Sequence, residues 1–167
     1  LGNPYTSAID AEAFIAQNDA SFDQYYKALY IYNGDNYSYI GTELAGWENA
    51  GGTFGHTNIL ASQGFFVAAR CNSSRFTFTP AMRVLNTTVP YTKSTGEAGR
   101  WPGLKVKMTC GSNEASTLIV YNDEMKAGLD PGYDIGLMSS GGGLEIYTSL
   151  ISGAFGVNFA RQALPVS

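Results

Sequence analysis

The apolar residues of this chain keep a helical spacing only near its start and a spacing of two almost everywhere after it. That single change of period constrains the fold most. In "TSAIDAEAFIAQN", Ile9, Ala13 and Ala16 fall on one face at helical spacing, so residues 8–17 are expected to form a short amphipathic helix. Ser7 is expected to cap its free amides, with Asp10, three residues on, favoured by the positive helix end. "ALYIYNGDNYSYIG" then alternates on both sides of Asn33-Gly34-Asp35-Asn36, which predicts a hairpin with strands near 28–32 and 37–40. Further strands are expected in "GFFVAAR", "SRFTFT", "AMRVL", "LKVKMTC", "STLIVYN", "DIGLMS", "LEIYTSL" and "FGVNFAR", most of them separated by Gly, Pro, Asn or Ser clusters. Short strands at this regular spacing point to an all-β fold, an antiparallel β-sandwich of jelly-roll-like type with one short N-terminal helix.

Length and charge narrow the classes. A chain of 167 residues is one domain by the usual length prior, so residues 1–167 are read as a single module. The net charge of −4, with no basic cluster on any candidate element, argues against nucleic acid, whose phosphates need a cationic footprint. Charged residues make up 14% of the chain, while Gly, Ser, Thr, Asn and Tyr are abundant, the composition of an extracellular β-rich module. No stretch approaches the roughly 20 apolar residues of a spanning helix, so no membrane insertion is expected. The first residues also lack the basic and apolar regions of a signal peptide.

The chemistry-bearing motifs are mostly missing. There is no GxSxG elbow, HExxH, GxxxxGK[ST] loop or helix-opening GxGxxG. The one histidine, His56, stands in a Gly-rich loop and reads as a solvated polar residue rather than a base. Glu43 and Glu48 near Trp47, or Glu124 with Asp130, are formal carboxylate pairs that read as ordinary surface acids. A non-catalytic protein with no required cofactor is expected.

Two constellations remain. Tyr30 with Tyr32, and Tyr37 with Tyr39, lie two apart, so each pair projects to one strand face, and the hairpin would set the pairs side by side near Trp47 as an aromatic platform. Such rings suit sugar faces and protein contacts alike, and they equally suit the core of a sheet. "YNDEMKAGLDPGYDIG" places Asn122, Asp123, Glu124, Asp130 and Asp134 around a Pro-Gly turn. Asp130 and Asp134 are candidate calcium ligands, although the spacing is not that of an EF-hand and such residues commonly bond turn amides. Cys71 and Cys110 each end a strand-like run. If those strands are neighbours a disulfide would close a loop of about 40 residues; otherwise both are buried free thiols. Zinc is not supported. Two long segments without clear periodicity, 43–58 and 86–103, read as loops.

The order of several short motifs resembles a known module. "LGNPYTSAID", "GFFVAAR" after Ser-Gln, "FTFTPAMRV", "GLDPGYDIG" and "VNFARQALP" follow one another as in the GNPYPSAID-type β-sandwich module of bacterial surface and secreted proteins exported by the type IX secretion pathway. Thr6 replaces that family's second proline, and Ser62-Gln63-Gly64 stands where GQG or GQS is usual. The strand that precedes GNPY in that family is reduced to Leu1, and the further β module and sorting signal that follow its LP strand are absent after Ser167. The resemblance implies a secreted or cell-surface location and an accessory role within a longer multi-domain protein, with no catalytic residue to carry over. The function expected is therefore binding of glycan or a surface partner through the aromatic face, the alternative being a spacer or stalk that presents neighbouring domains and a C-terminal sorting signal.

Overall fold

The computed structural model describes residues 1–32, 37–42, 47–49, 52–54, 57–85, 101–139, 141, 143–150 and 156–166, with the backbone alone at 47–49 and 52–54. His56 and Glu43 lie outside these residues, as do the side chains of Trp47 and Glu48. Among the described residues most of the regular structure is strand, in three sheets, with one short α-helix.

The start of the chain differs from expectation in an informative way. Ala8–Asp10 is a strand, β1, and the helix, α1, covers only Ala11–Gln17. β1 lies between two short antiparallel strands, β6 (Asn58–Ile59) and β7 (Arg83–Val84), with Ile9 opposite both Ile59 and Arg83. Those partners are distant in sequence, so local pattern does not reveal them. The cap is Asp10, not Ser7: its Oδ1 accepts the amides of Glu12 at 2.8 Å and Ala13 at 3.1 Å. Ser7 instead accepts Arg83 Nε through its hydroxyl. The buried face of α1 is accordingly Ala11, Phe14 and Ile15.

Phe14 is the hub of the main core. Its ring meets Phe65, Phe22, Phe76 and Phe78 with centroids 5.0 to 6.4 Å away. Phe76 and Phe78 come from "SRFTFT", which forms no strand although its alternation is strand-like. The alternation serves the same burial, because both rings point into the cluster, while the backbone bonds the side chain of buried Asn18 rather than a ladder partner.

The second sheet holds the predicted hairpin. β2 (Leu29–Tyr32) pairs with β3 (Tyr37–Ile40) antiparallel, and the order continues through β4 (Trp47–Asn49) to β5 (Gly52–Phe54). β4 and β5 fall inside the segment read as a long loop. "GFFVAAR" is not a full strand; it touches the other edge of β2 through a single bridge, Tyr30 with Phe66.

The third sheet runs β10-β11-β9-β8. β8 (Gly103–Cys110) and β9 (Asn113–Tyr121) form a hairpin whose turn has Gly111 at φ +62°, as a two-residue II′ connection requires. β11 (Phe159–Leu164) enters between β9 and β10 (Ile135–Gly136), and it runs parallel to β9, an exception to the antiparallel pattern expected. "LEIYTSL" contributes one bridge, Thr148 with Phe159. A smaller core of Leu118, Val120, Met125 and Ala163 lies on one face of this sheet, where the Arg161 guanidinium sits 5.8 Å over the Trp101 ring and Trp101 stacks on Tyr133.

No helix among the described residues is long and apolar enough to cross a membrane.

Candidate functional site

The hairpin register places the four tyrosines as the sequence suggested. Tyr30 pairs with Tyr39 and Tyr32 with Tyr37, so all four share one face of the sheet. They do not form a flat platform. The ring of Tyr37 stands edge-on to Tyr30, with planes at 87°, and tilts at 52° to Tyr32 with centroids 5.2 Å apart.

Burial divides the set into two halves. Tyr30 is 0% and Tyr39 8% exposed, and both hydroxyls reach across to the third sheet and its flank: Tyr30 donates to Gly136 O at 2.9 Å and Tyr39 to Ala160 O at 3.4 Å. Burial, with the charges of Tyr26 and Asp23 adding to it, holds the Tyr30 hydroxyl well above its ordinary pKa, so it remains a donor. Tyr32, in contrast, is 47% exposed and Tyr37 half-buried. The alternatives of core and surface are therefore both realised, with the boundary running across the hairpin.

Phe66 completes the outer half, and sequence reasoning missed it. It is 52% exposed, exchanges backbone hydrogen bonds with Tyr30 at 3.0 and 2.7 Å, and sets its ring 5.8 Å from Tyr37. The signal lay in "GFFV", where Phe65 turns inward and Phe66 outward as the strand alternation requires. The backbone of Trp47 lies in the same sheet, opposite Phe54.

A cleft opens beside these rings. It is lined by Tyr30, Tyr37 and Tyr39 together with residues of β9, β11 and the segments 137–138 and 144–146; it encloses about 40 Å³ and is otherwise open to solvent. Glu145 stands on the cleft and accepts the Ser139 hydroxyl.

The acidic loop has a different role. Asp134 Oδ1 accepts Ala163 N and Oδ2 accepts Asp130 N, both at 2.8 Å, while Asp130 Oδ2 accepts Lys126 N at 2.7 Å. The two carboxylates fix the "GLDPGYDIG" turn against β11, as Asp beside Gly and Pro often does. Among the described residues no group of three or more His, Cys, Asp or Glu is placed to hold a metal ion. Burial raises the Asp134 carboxyl to about 6, against the lowering effect of its two amide donors. Glu124 is exposed whereas Asp130 is buried, and the Glu124 amide donates to Asn122 Oδ1 in a local turn.

Cys71 and Cys110 are exposed free thiols, neither joined nor buried. The segment ending at Cys71 lies against β2, whereas β8, which ends at Cys110, pairs with β9, so the two runs are not neighbours. Hydrogen bonds from Ser73, then Ser74, lower the Cys71 thiol to about 7.

Fold and face together define a β-rich domain with one short helix and an aromatic cleft between two of its sheets. The chain belongs to the family described as Domain of unknown function (DUF8693), whose model matches residues 1–163. No curated protein and no solved structure matches the chain.

Proposed function

We propose that this domain is a non-catalytic, extracellular binding module of a secreted or cell-surface bacterial protein, and that it holds glycan or a surface partner on Tyr32, Tyr37 and Phe66. The observation that carries this reading is the outward cluster of these three rings, two of them about half exposed, on a sheet whose other tyrosines are locked in the core. Exposed rings at fixed mutual angles offer faces on which sugar C–H groups or partner side chains stack. The tyrosine face of β2 and β3 meets Ala160 of the third sheet through Tyr39, which supports a two-sheet sandwich of jelly-roll-like type. The ordered motifs from "LGNPYTSAID" to "VNFARQALP" support kinship with the GNPYPSAID-type modules of type IX export.

A second reading, the spacer or stalk, draws on β8. This edge strand is exposed along nearly its whole length, with Leu104 and Val106 uncovered, as a contact surface for an adjoining module would be.

Retention on immobilised polysaccharides tests the first reading. Tyr32→Ala and Phe66→Ala should each weaken retention about tenfold while leaving the melting temperature nearly unchanged. Undiminished retention in both variants would remove the aromatic face from consideration. Absence of retention on any glycan, with a gain in thermal stability when flanking segments are added, would favour the spacer.

A further inference from the structure

The cleft behind the exposed rings has a chemistry that does not suit a sugar. Tyr30, Tyr37 and Tyr39 line it, but Tyr30 is fully buried and Tyr39 nearly so, their hydroxyls donating to the carbonyls of Gly136 and Ala160, so Tyr37 offers the accessible ring. The facing wall includes Leu137, Met138, Leu144 and Ile146. A sugar ring pressed between them would surrender water from several hydroxyls and find few replacements.

One strong charge stands on this apolar surface. Glu145 is exposed, accepts the Ser139 hydroxyl, and among the described residues has no Lys or Arg in ion-pair contact. Tyrosine faces carry negative potential and attract cations, and a carboxylate adds a charged acceptor. Rings, aliphatic wall and carboxylate together select a cation carried on an alkyl stem. The net charge of −4 draws such groups toward the surface.

We propose that the cleft is a docking pocket for a lysine or arginine side chain of a protein partner. The stem lies along Leu137, Met138, Leu144 and Ile146, and the cationic end meets Glu145 at the mouth. An amino sugar offers the same charge but brings hydroxyls that the apolar wall leaves unsatisfied, which is why a basic protein side chain is the occupant. The inference shares Tyr37 with the glycan reading but does not need it, since Tyr32 and Phe66 do not line the cleft.

The test is a methyl NMR titration of the 167-residue chain, following Leu137, Met138, Leu144 and Ile146. The probes are n-butylammonium chloride, n-butylguanidinium chloride, n-butanol and glucosamine. Both alkyl cations should move these methyls at concentrations about tenfold lower than n-butanol does, and Glu145→Gln should abolish that advantage without altering the n-butanol titration. Equal potency of n-butanol in the wild-type protein, tighter binding of glucosamine than of n-butylammonium, or no movement of these methyls with any probe would overturn the proposal. Tyr32→Ala and Phe66→Ala should leave the cation titration intact, so the two readings fail separately.

Discussion

Asn18 holds Thr77 from both sides of its peptide group: Thr77 N donates to Asn18 Oδ1 at 2.6 Å, and Asn18 Nδ2 donates to Thr77 O at 3.0 Å. One buried side chain thus imitates a strand partner for a segment 59 residues away, and its Nδ2 also bonds Phe14 O at the end of α1. Asn18→Ala removes three hydrogen bonds, two to the part-buried peptide groups of Thr77 and one to Phe14 O, so the expected loss is about 3 kcal/mol. For a domain of this size that is roughly 6 to 12 °C in melting temperature, which calorimetry would measure. A loss within about 1 °C would mean that water replaces the clamp fully.

The tyrosine hairpin should behave as two separate pairs. Tyr30→Ala empties a fully buried site and should cost about 3 to 5 kcal/mol, whereas Tyr32→Ala, at a half-exposed ring, should cost under about 1 kcal/mol. Urea unfolding of the two variants distinguishes them. Comparable losses would contradict the division between core and surface rings.

Asp134 makes stability depend on pH in an uncommon direction. Its carboxyl is near 6 in the folded protein, above its ordinary 3.8, so the folded state holds the proton more tightly than the unfolded chain. The corresponding stability is fully present below about pH 4 and declines as pH rises through 6, by about 3 kcal/mol for this group. Urea midpoints from pH 4 to 7 should show a decline in the wild type that is flatter in Asp134→Asn, since other carboxylates contribute equally to both. Parallel profiles would refute the assignment.

Cys71 should alkylate readily at neutral pH. With its thiol near 7, about half is thiolate there, and the rate of iodoacetamide modification should reach half its maximum near that pH. Ser73→Ala should move the midpoint upward, because the Ser73 bond contributes most to the lowering. A midpoint unchanged by that substitution would assign the effect elsewhere.

How far the sequence foretells this molecule depends on whether the partner of each segment is near in the chain. The β2–β3 hairpin was legible because alternation and turn residues are contiguous, and β8 and β9 were legible as strands though not as a pair. Ala8–Asp10 was misread as helix because its ladders run to residues 58–59 and 83–84, and the apolar Ile9 is buried in either reading. Residues 74–79 and 144–150 alternate in the manner of strands but satisfy their backbones by a side-chain clamp or a single bridge, which pattern alone cannot distinguish from a ladder. The aromatic face was half legible. Its tyrosines share a hairpin, but the wall that buries Tyr30 comes from Gly136, 106 residues on, and so does the boundary between core and surface. Asp130 and Asp134 illustrate the converse: oxygen-rich loops look alike in sequence whether they hold an ion or their own turn.

The parallel insertion of β11 also orders events in time. β8 and β9 can zip together as soon as both have been synthesised, but β10 has no ladder in its sheet until β11, which follows it in sequence, slots between it and β9. Until then Leu118–Tyr121 presents an unpaired apolar edge, the kind of surface on which nascent chains stick to one another. Completion of this sheet is therefore a late, long-range step, and a ribosome stalled before Phe159 would display a domain able to form its first hairpins but unable to seal its centre.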